Sequence, residues 1–172
     1  MVRAVAEKGY EAATVADAVR LARVSRSTFY ALFDSKEACL AAAYRAGTEV
    51  LEARVASAAR AAPTPAQELR LGIRAYLQTL DGEPAFARVY LLEWPAVGAE
   101  RDAAMWRFAR RYGKSFERLG GPVPPSEALY VLAAGVHALA CARVRAGEPT
   151  IDLEDGLVEC ALALGGKETR WT

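Results

Sequence analysis

The sequence predicts an all-α protein. Short alanine runs recur, at 41–43, 58–59 and 61–62, whereas runs of β-branched residues are scarce. Alanine is the strongest helix former, and β-branched residues favour strands. The sequence also contains helix start signals. For example, Thr14 is followed three residues later by Asp17 in the pattern of a capping box. Nothing in the sequence indicates a strand, an internal repeat or a low-complexity tail.

Several short helices are predicted at the start of the chain. Gly9 ends a helix over residues 2–8, because glycine tolerates a left-handed C-terminal cap. Thr14 begins the second helix. A break at residues 23–24 separates it from a third helix, which Ser25 is expected to cap.

The third predicted helix has an apolar face, and a long helix follows it. Phe29, Leu32 and Phe33 lie on one side of this helix and are expected to pack inward. Asp34 is expected to end it and, with Glu37, to begin the next. From there we expect helices over residues 34–62, 64–80, 84–94, 99–119, 126–146 and 153–164.

Composition and charge exclude several classes of protein. The 172 residues are 53% hydrophobic and 25% charged, and 22 basic against 21 acidic side chains leave a formal net charge of +1. Any nucleic-acid binding must therefore come from a local patch. Three widely spaced cysteines do not suggest a disulfide-framed secreted domain. The longest apolar run, Leu129–Ala142, is shorter than the ~20 residues of a membrane helix, so we expect a cytoplasmic protein with no membrane partner.

Signatures of catalysis, cofactor binding and metal binding are missing from the sequence. It holds no phosphate-binding glycine loop, no Gly-x-Ser-x-Gly and no His-Glu-x-x-His motif. His137 and Cys141 lie four residues apart and would make half a metal site, but a zinc site needs about four ligands. We therefore expect no enzyme activity, no cofactor and no metal, and ordinary packing for this pair.

Residues 9–37 carry the clearest functional signal. Two short helices joined by a tight turn form a helix-turn-helix, which presents its second helix to the DNA major groove. Four basic side chains lie between Arg20 and Lys36 against one acidic side chain. The basic patch that the overall charge lacks is therefore found here.

The outward face of the second of these helices suits contact with DNA. Ser27, Tyr30 and Ala31 are predicted to point outward, with Arg26 and Thr28 on the flanks. Arginine can form two hydrogen bonds with guanine, and hydroxyls reach phosphates or base edges. Lys36, in the first turn of the following helix, is expected to join a phosphate site there.

Four motifs within residues 5–45 point to one family. They are Glu7-Lys8-Gly9-Tyr10-Glu11, Thr14-Val15-Ala16-Asp17, Val24-Ser25-Arg26-Ser27-Thr28-Phe29-Tyr30 and Phe33-Asp34-Ser35-Lys36-Glu37. Together they resemble the N-terminal DNA-binding domain of TetR-like transcriptional regulators. The resemblance implies a homodimeric repressor that binds a palindromic operator in double-stranded DNA and is released by a small molecule. Positions that contact DNA in this family match Thr14, Arg26, Ser27, Thr28, Tyr30 and Lys36.

The chain departs from the family pattern in two places. Arg23 stands in the turn where the family usually has glycine, and there it either strains a left-handed position or adds a phosphate contact. The family's first helix normally begins about two turns before Met1. A shortened first helix is therefore expected, with weaker support for the DNA-binding helices.

Two domains are expected: a helix-turn-helix domain at residues 1–46 and a ligand-binding and dimerisation domain at 47–172. Aromatic residues recur on the helices of the second domain, where they either fill a core or line a largely apolar effector pocket. The candidate lining residues are Tyr90, Trp94, Met105, Trp106, Tyr112 and His137. Arg110 and Arg111 would favour an anionic or acyl-type effector, or are simply solvated.

The last two helices, within about residues 126–164, are expected to form the dimer interface. The first of them offers small residues at Ala133, Ala134, Gly135, Ala138 and Ala142. The second has an apolar face of Leu153, Leu157, Val158, Ala161, Leu162 and Leu164. Two helices from each protomer would form a four-helix bundle about a two-fold axis. Burial within one protomer predicts the same pattern, and the resemblance favours the interface.

Two other functions fit parts of the sequence. The short first helix and Arg23 are compatible with a small-molecule-binding helical protein that has lost DNA binding. The aromatic pocket alone would suit a helical-bundle enzyme, although the catalytic groups are missing.

Overall fold

The computed structural model describes residues 1–93 and 98–166, and every regular element in these ranges is a helix. The α-helices are α1 (Val2–Lys8), α2 (Val15–Ala22), α3 (Arg26–Leu32), α4 (Lys36–Arg60), α5 (Pro65–Gly82), α6 (Pro84–Arg88), α7 (Gly98–Leu119), α8 (Ser126–Ala146) and α9 (Glu154–Leu164). A π-helical turn (Val89–Glu93) follows α6, and a 3-10 turn (Ile151–Leu153) precedes α9. The all-α prediction is confirmed.

The ends of the first helices follow from their capping residues. The Thr14 hydroxyl accepts a hydrogen bond from the Asp17 N–H, and the Asp17 carboxylate accepts one from the Thr14 N–H, which completes the predicted capping box. Arg23 ends α2 in the left-handed region, at φ 56° and ψ 41°. The cap of α4 is Ser35, whose hydroxyl accepts from the Ala38 N–H at 3.1 Å, and not the predicted Asp34.

The apolar face of α3 differs from the prediction at one position. Phe29 is buried and Phe33 is half-buried, with their ring centroids 5.6 Å apart, but Leu32 is 70% exposed. The helix ends at Leu32, and Phe33 takes an extended conformation (φ −141°) that brings its ring toward Phe29. The backbone turn therefore buries Phe33 and leaves Leu32 on the surface.

Helix α4 runs across the predicted domain boundary. Its 25 residues bury Leu40, Tyr44, Leu51 and Val55 along one face. At ~1.5 Å per residue this makes a continuous element of roughly 37 Å. The predicted domain boundary after residue 46 lies inside this helix, so both parts share one rigid connection.

Polar contacts attach the segment that begins α9 to α5. Asp81 accepts hydrogen bonds from the Thr150 hydroxyl and N–H, each at 2.8 Å, and from the Ile151 N–H at 3.0 Å. Buried Glu154 pairs with Arg70 at 2.8 Å and with Arg74 at 2.7 Å. These contacts fix the inner face of α9 within the protomer.

The predicted helix over residues 84–94 is present through residue 93, and residue 94 lies outside the described residues. It changes from α-helix (α6) to a π-helical turn at Val89. Gly47 allows α6 to pack closely against α4, because a Cβ at this position would lie 2.2 Å from the Phe86 ring. Such single π turns inside helices often occur at functional sites.

Helix α8 is unusually apolar for its position. In the described ranges it alone has the length and mean hydropathy, 1.4, that would allow a helix to cross a membrane. Only 28% of that apolar window is buried within the protomer. Much of its apolar surface is therefore left uncovered by the chain itself.

Candidate DNA-binding surface and effector cavity

The outward face of α3 is open to solvent. Arg26, Ser27 and Tyr30 are exposed, and none of their side chains has a hydrogen-bond or ionic partner in the described part of the chain. The Tyr30 ring rests edge-on against Phe29, with centroids 5.4 Å apart. This contact leaves its hydroxyl end free to meet another molecule.

Two other predicted DNA contacts are already engaged in capping. The Thr14 hydroxyl donates to Asp17 at 2.8 Å while it accepts from the Asp17 N–H at 3.2 Å. The Thr28 and Ser25 hydroxyls lie 2.9 Å apart and share one hydrogen bond. Both Thr14 and Thr28 are exposed, but the only hydroxyl proton of Thr14 is already donated to Asp17.

Lys36 lies in a different environment from the one we expected. Its Nζ donates to the carbonyls of Tyr10 at 2.9 Å, Ala13 at 3.2 Å and Glu11 at 3.4 Å. These acceptors use the three donors of an ammonium group. In this conformation Lys36 holds the loop between α1 and α2 against α4, and a phosphate contact would require these bonds to open.

Tyr10 connects the helix-turn-helix to the rest of the fold. Its N–H donates to Glu93 of the π turn at 3.3 Å, and its hydroxyl donates to Glu37 of α4 at 3.1 Å. Arg88 orients Glu93 through a hydrogen bond of 3.0 Å. We call Tyr10, Lys36, Glu37 and Glu93 the Tyr10 junction.

The surroundings of Glu37 in the Tyr10 junction favour its ionised form. Hydrogen bonds from its own backbone N–H, from Ser35 and from Tyr10 hold the pKa of Glu37 below its ordinary value. Burial and the neighbouring Glu37 raise the pKa of the Tyr10 phenol, so Tyr10 remains a donor at neutral pH. Sequence reasoning missed Glu93, because nothing local marks a contact across 83 positions.

The short first helix is anchored despite its length. Ala4 and Val5 are buried in the core, and Lys8 pairs with Asp17 of α2 at 2.5 Å. Hydrogen bonds from Lys8 and Thr14 hold the pKa of Asp17 well below its usual range. Helix α1 therefore supports α2 through both packing and charge.

A cavity of about 30 Å³ lies between α4, α5, α7 and α8. It is lined by Val55, Ala59, Glu68, Leu69, Gly72, Tyr76, Met105, Phe108, Arg111, Tyr112, Ser115, Ala133 and Val136. Of the six predicted lining residues, the structure places Met105 and Tyr112 here. The space suits about one water molecule and is far below the ~300–1,000 Å³ of a typical ligand pocket.

Tyr90 and His137, which were also predicted to line the pocket, lie elsewhere. Tyr90 stacks between Tyr44 and Phe86, with centroids 5.2 and 5.1 Å away, and His137 meets Tyr90 edge-on at 5.9 Å. This aromatic stack fills the core beside the π turn. Burial lowers the pKa of His137 to about 4, so its imidazole is neutral at pH 7.

Of the two remaining candidates, only Trp106 is among the described residues. Trp106 lies on the outer side of α7, 39% exposed, and packs against Tyr130 of α8 at 4.6 Å. Its place on the helix points it away from the interior, which periodicity alone did not distinguish. Trp94 lies outside the described residues.

His137 and Cys141, for which we expected ordinary packing, have no further potential metal ligand beside them among the described residues. The Cys141 thiol donates to the Leu91 carbonyl at 3.5 Å. Across residues 1–93 and 98–166, no group of three or more His, Cys, Asp and Glu side chains is arranged to hold a metal ion.

The exposed side of α8 carries a continuous small and apolar stripe. Val131 is 68% exposed and Leu139 is 47% exposed. Gly135, Ala138 and Ala142 are exposed at helical spacing between and beyond them. Other predicted interface residues, namely Ala133, Leu157, Val158 and Ala161, are buried inside the protomer. The outer side of α8 is thus the part of the predicted interface that remains available.

Comparison with known proteins identifies the first four helices. Residues 2–43 match the family model described as bacterial regulatory proteins, tetR family. The match spans α1, α2, α3 and the start of α4, which together contain the open face of α3 and three residues of the Tyr10 junction. A search of curated proteins gave no significant match.

Proposed function

From the match of residues 2–43 to the tetR family model, which supports a DNA-binding transcriptional regulator, we propose a ligand-responsive repressor that binds a palindromic operator as a homodimer. The observation that carries the proposal is the open face of α3. Arg26, Ser27 and Tyr30 present one guanidinium and two hydroxyls to solvent, with no internal partner in the described ranges. We place this activity in the cytoplasm, where the DNA is.

Base reading is assigned to Arg26 and positioning to the residues around it. An arginine that makes two hydrogen bonds with guanine discriminates against other bases by ~1–3 kcal/mol. Ser27, Thr28 and Tyr30 lie beside it on α3, where they can reach phosphates or base edges. Thr14 and Lys36 contribute by fixing the ends of α2 and α4, and they reach phosphate only if their present hydrogen bonds open.

The α8 stripe supports the homodimer. Val131 and Leu139 leave apolar surface exposed on a helix whose opposite side packs on its own protomer. A second copy of α8 and α9 across a two-fold axis would cover that surface and complete a four-helix bundle. Two α3 helices would then meet major grooves about 34–36 Å apart.

Effector control follows from the size of the cavity. A cavity of about 30 Å³ can admit a small molecule only if its walls move apart. Val55 and Ala59 of α4 belong to these walls, and Lys36 at the other end of the same helix holds the Tyr10 junction. An effector that favours the opened cavity would therefore change the orientation of α3 and lower the affinity for DNA.

Operator binding by variants tests the assignment of α3. DNA affinity would be measured by fluorescence anisotropy on the palindromic duplex selected by the wild type and on a scrambled duplex of equal length. Arg26→Ala should reduce the ratio of the two affinities about tenfold or more, because the base contact is lost. Arg54→Ala removes an exposed charge from the middle of α4 and should leave the ratio unchanged. Equal behaviour of the two variants would refute the assignment.

A further inference from the structure

The cavity between α4, α5, α7 and α8 is lined by both apolar and polar side chains. Apolar side chains include those of Val55, Leu69, Met105, Phe108 and Val136. Charged or hydroxyl-bearing lining residues are Glu68, Tyr76, Arg111, Tyr112 and Ser115. An occupant with an apolar body and a polar group would therefore find partners for both.

The two charged residues of the lining differ in how they are paired. The Glu68 carboxylate accepts a hydrogen bond from the Ser115 hydroxyl at 2.8 Å and another from the Arg118 guanidinium. Within the described ranges the Arg111 side chain has no acceptor, although its backbone carbonyl accepts from Ser115. The negative charge is thus neutralised, and the positive charge is available.

The Tyr76 hydroxyl is a second polar group without a partner. The side chain is 5% exposed, and its oxygen meets no hydrogen-bond partner among the described residues. Burial raises the pKa of this phenol well above its ordinary value, so it keeps its proton and can donate. A buried donor without an acceptor destabilises the empty state, and an acceptor on an occupant would remove that cost.

We propose that this cavity binds a small apolar carboxylate, with its anionic oxygens on Arg111, its body against the apolar walls and the Tyr76 hydroxyl as a donor to it. The inference rests on the proposed effector cavity and adds the chemical class of the effector. A carboxylate accepts hydrogen bonds and pairs with a guanidinium, whereas an ammonium group is repelled by it. Met105 is flexible and can move aside as the cavity opens.

Calorimetric titration of the full chain with octanoate, octanamide and octylamine compares three polar head groups on the same apolar chain. A second set, 4-phenylbutyrate, 4-phenylbutanamide and 4-phenylbutylamine, tests it on an aromatic body. In at least one set the carboxylate should bind about tenfold or more tightly than its amide, because a charge-assisted contact is added. The amines should bind more weakly than the amides.

Two arginine variants test whether the preference for the carboxylate comes from Arg111 or from positive charge in general. Arg111→Gln should remove the preference for the carboxylate over the amide and leave the amide affinity unchanged. Arg110→Gln changes the exposed neighbour, which does not line the cavity, and should keep the preference. Tyr76→Phe should weaken binding of the carboxylate compound. The empty variant should unfold at an equal or higher temperature than the wild type, since an unpaired buried donor is removed.

Several results would overturn the proposal: tighter binding of an amide or amine, the same effect of Arg111→Gln and Arg110→Gln, or no binding in either set. Operator affinity of the unliganded protein is measured on the same preparations. Intact operator binding with a preference for a neutral or cationic compound would contradict only the proposed charge class. Loss of operator binding by the unliganded wild type would instead contradict the proposed function.

Discussion

Glu93 accepts a hydrogen bond from the Tyr10 N–H at 3.3 Å, although 83 positions separate the two residues in the chain. The contact joins the π turn after α6 to the loop between α1 and α2. On the other side of Tyr10, Lys36 and Glu37 connect the same loop to the first turn of α4. The orientation of the helix-turn-helix therefore depends on the π turn, which borders the core, and on α4, which borders both the core and the cavity.

Removal of the Glu93 carboxylate should loosen this loop without unfolding the protein. In Glu93→Ala the Tyr10 amide loses its acceptor, and hydrogen exchange at that amide should accelerate about tenfold. Global stability should change by less than about 1 kcal/mol, since Glu93 and Arg88 form a partly exposed pair. Glu83→Ala, at an exposed position between α5 and α6, serves as the control. Unchanged exchange at Tyr10 would show that Glu93 does not hold the loop.

Replacement of Arg23 by glycine should stabilise the helix-turn-helix. Arg23 is the one non-glycine residue with positive φ among those described, at 56°. The left-handed conformation costs an L-residue about 1–2 kcal/mol. Glycine avoids this cost, but it loses more conformational entropy on folding, which offsets part of the gain. Urea unfolding of Arg23→Gly should therefore give a gain of about 1 kcal/mol, with no gain for Arg23→Lys. If Arg23→Gly also lowers the DNA affinity while Arg23→Lys keeps it, Arg23 makes an additional phosphate contact.

A methyl group at Gly47 should disrupt the contact between α4 and α6. The added Cβ would lie 2.2 Å from the Phe86 ring, so the ring or the helices must shift. Thermal unfolding of Gly47→Ala should show a loss of about 1–3 kcal/mol. Gly156→Ala in α9, where nothing lies within 4 Å, should cause no loss. Recovery in the double variant Gly47→Ala, Phe86→Leu would locate the clash, and a neutral Gly47→Ala would contradict the close approach.

Acid should weaken the attachment of α9 to α5. Hydrogen bonds from Arg74 and Arg70 lower the pKa of Glu154 in the folded protein, so the unfolded chain binds a proton more readily. The stability from this group is present above the unfolded value of about 4.3 and is lost as pH falls through the lower folded pKa. The free energy of unfolding of Glu154→Gln should accordingly depend less on pH below about 5 than that of the wild type. Parallel curves for the two proteins would argue against the linkage.

Charge on the α8 stripe should separate the protomers. Val131→Glu places a carboxylate on the surface that we expect a second copy to cover, and sedimentation equilibrium should show monomers at concentrations where the wild type is dimeric. Val123→Glu alters an exposed valine that precedes α8 and should leave the dimer intact. A wild type that sediments as a monomer would contradict the homodimer itself.

Local sequence signals were enough to predict the helices and the exposed face of α3. The capping pair Thr14 and Asp17 and the cap Ser25 act within a few residues, so their role is visible in the sequence. The same reasoning misplaced Trp106, because a helical aromatic can face the core or solvent and only tertiary packing decides between them.

Contacts between distant segments could not be predicted. Lys36 carries the residue type of a phosphate ligand, yet its position beside the α1–α2 loop directs its ammonium to three carbonyls. The pairing of Tyr10 with Glu93 and the approach of Phe86 to Gly47 depend on how α6 and the π turn pack. Neither contact has a local pattern that would mark it.

Selection of random duplex DNA on the purified chain at physiological salt tests the central claim most directly. Because two α3 helices related by a two-fold axis read two half-sites, the account predicts enrichment of a palindrome whose half-site centres lie about one helical turn apart. Enrichment of a single half-site would contradict the homodimer. No enrichment of any sequence would contradict operator recognition and favour a small-molecule-binding protein that has lost DNA binding.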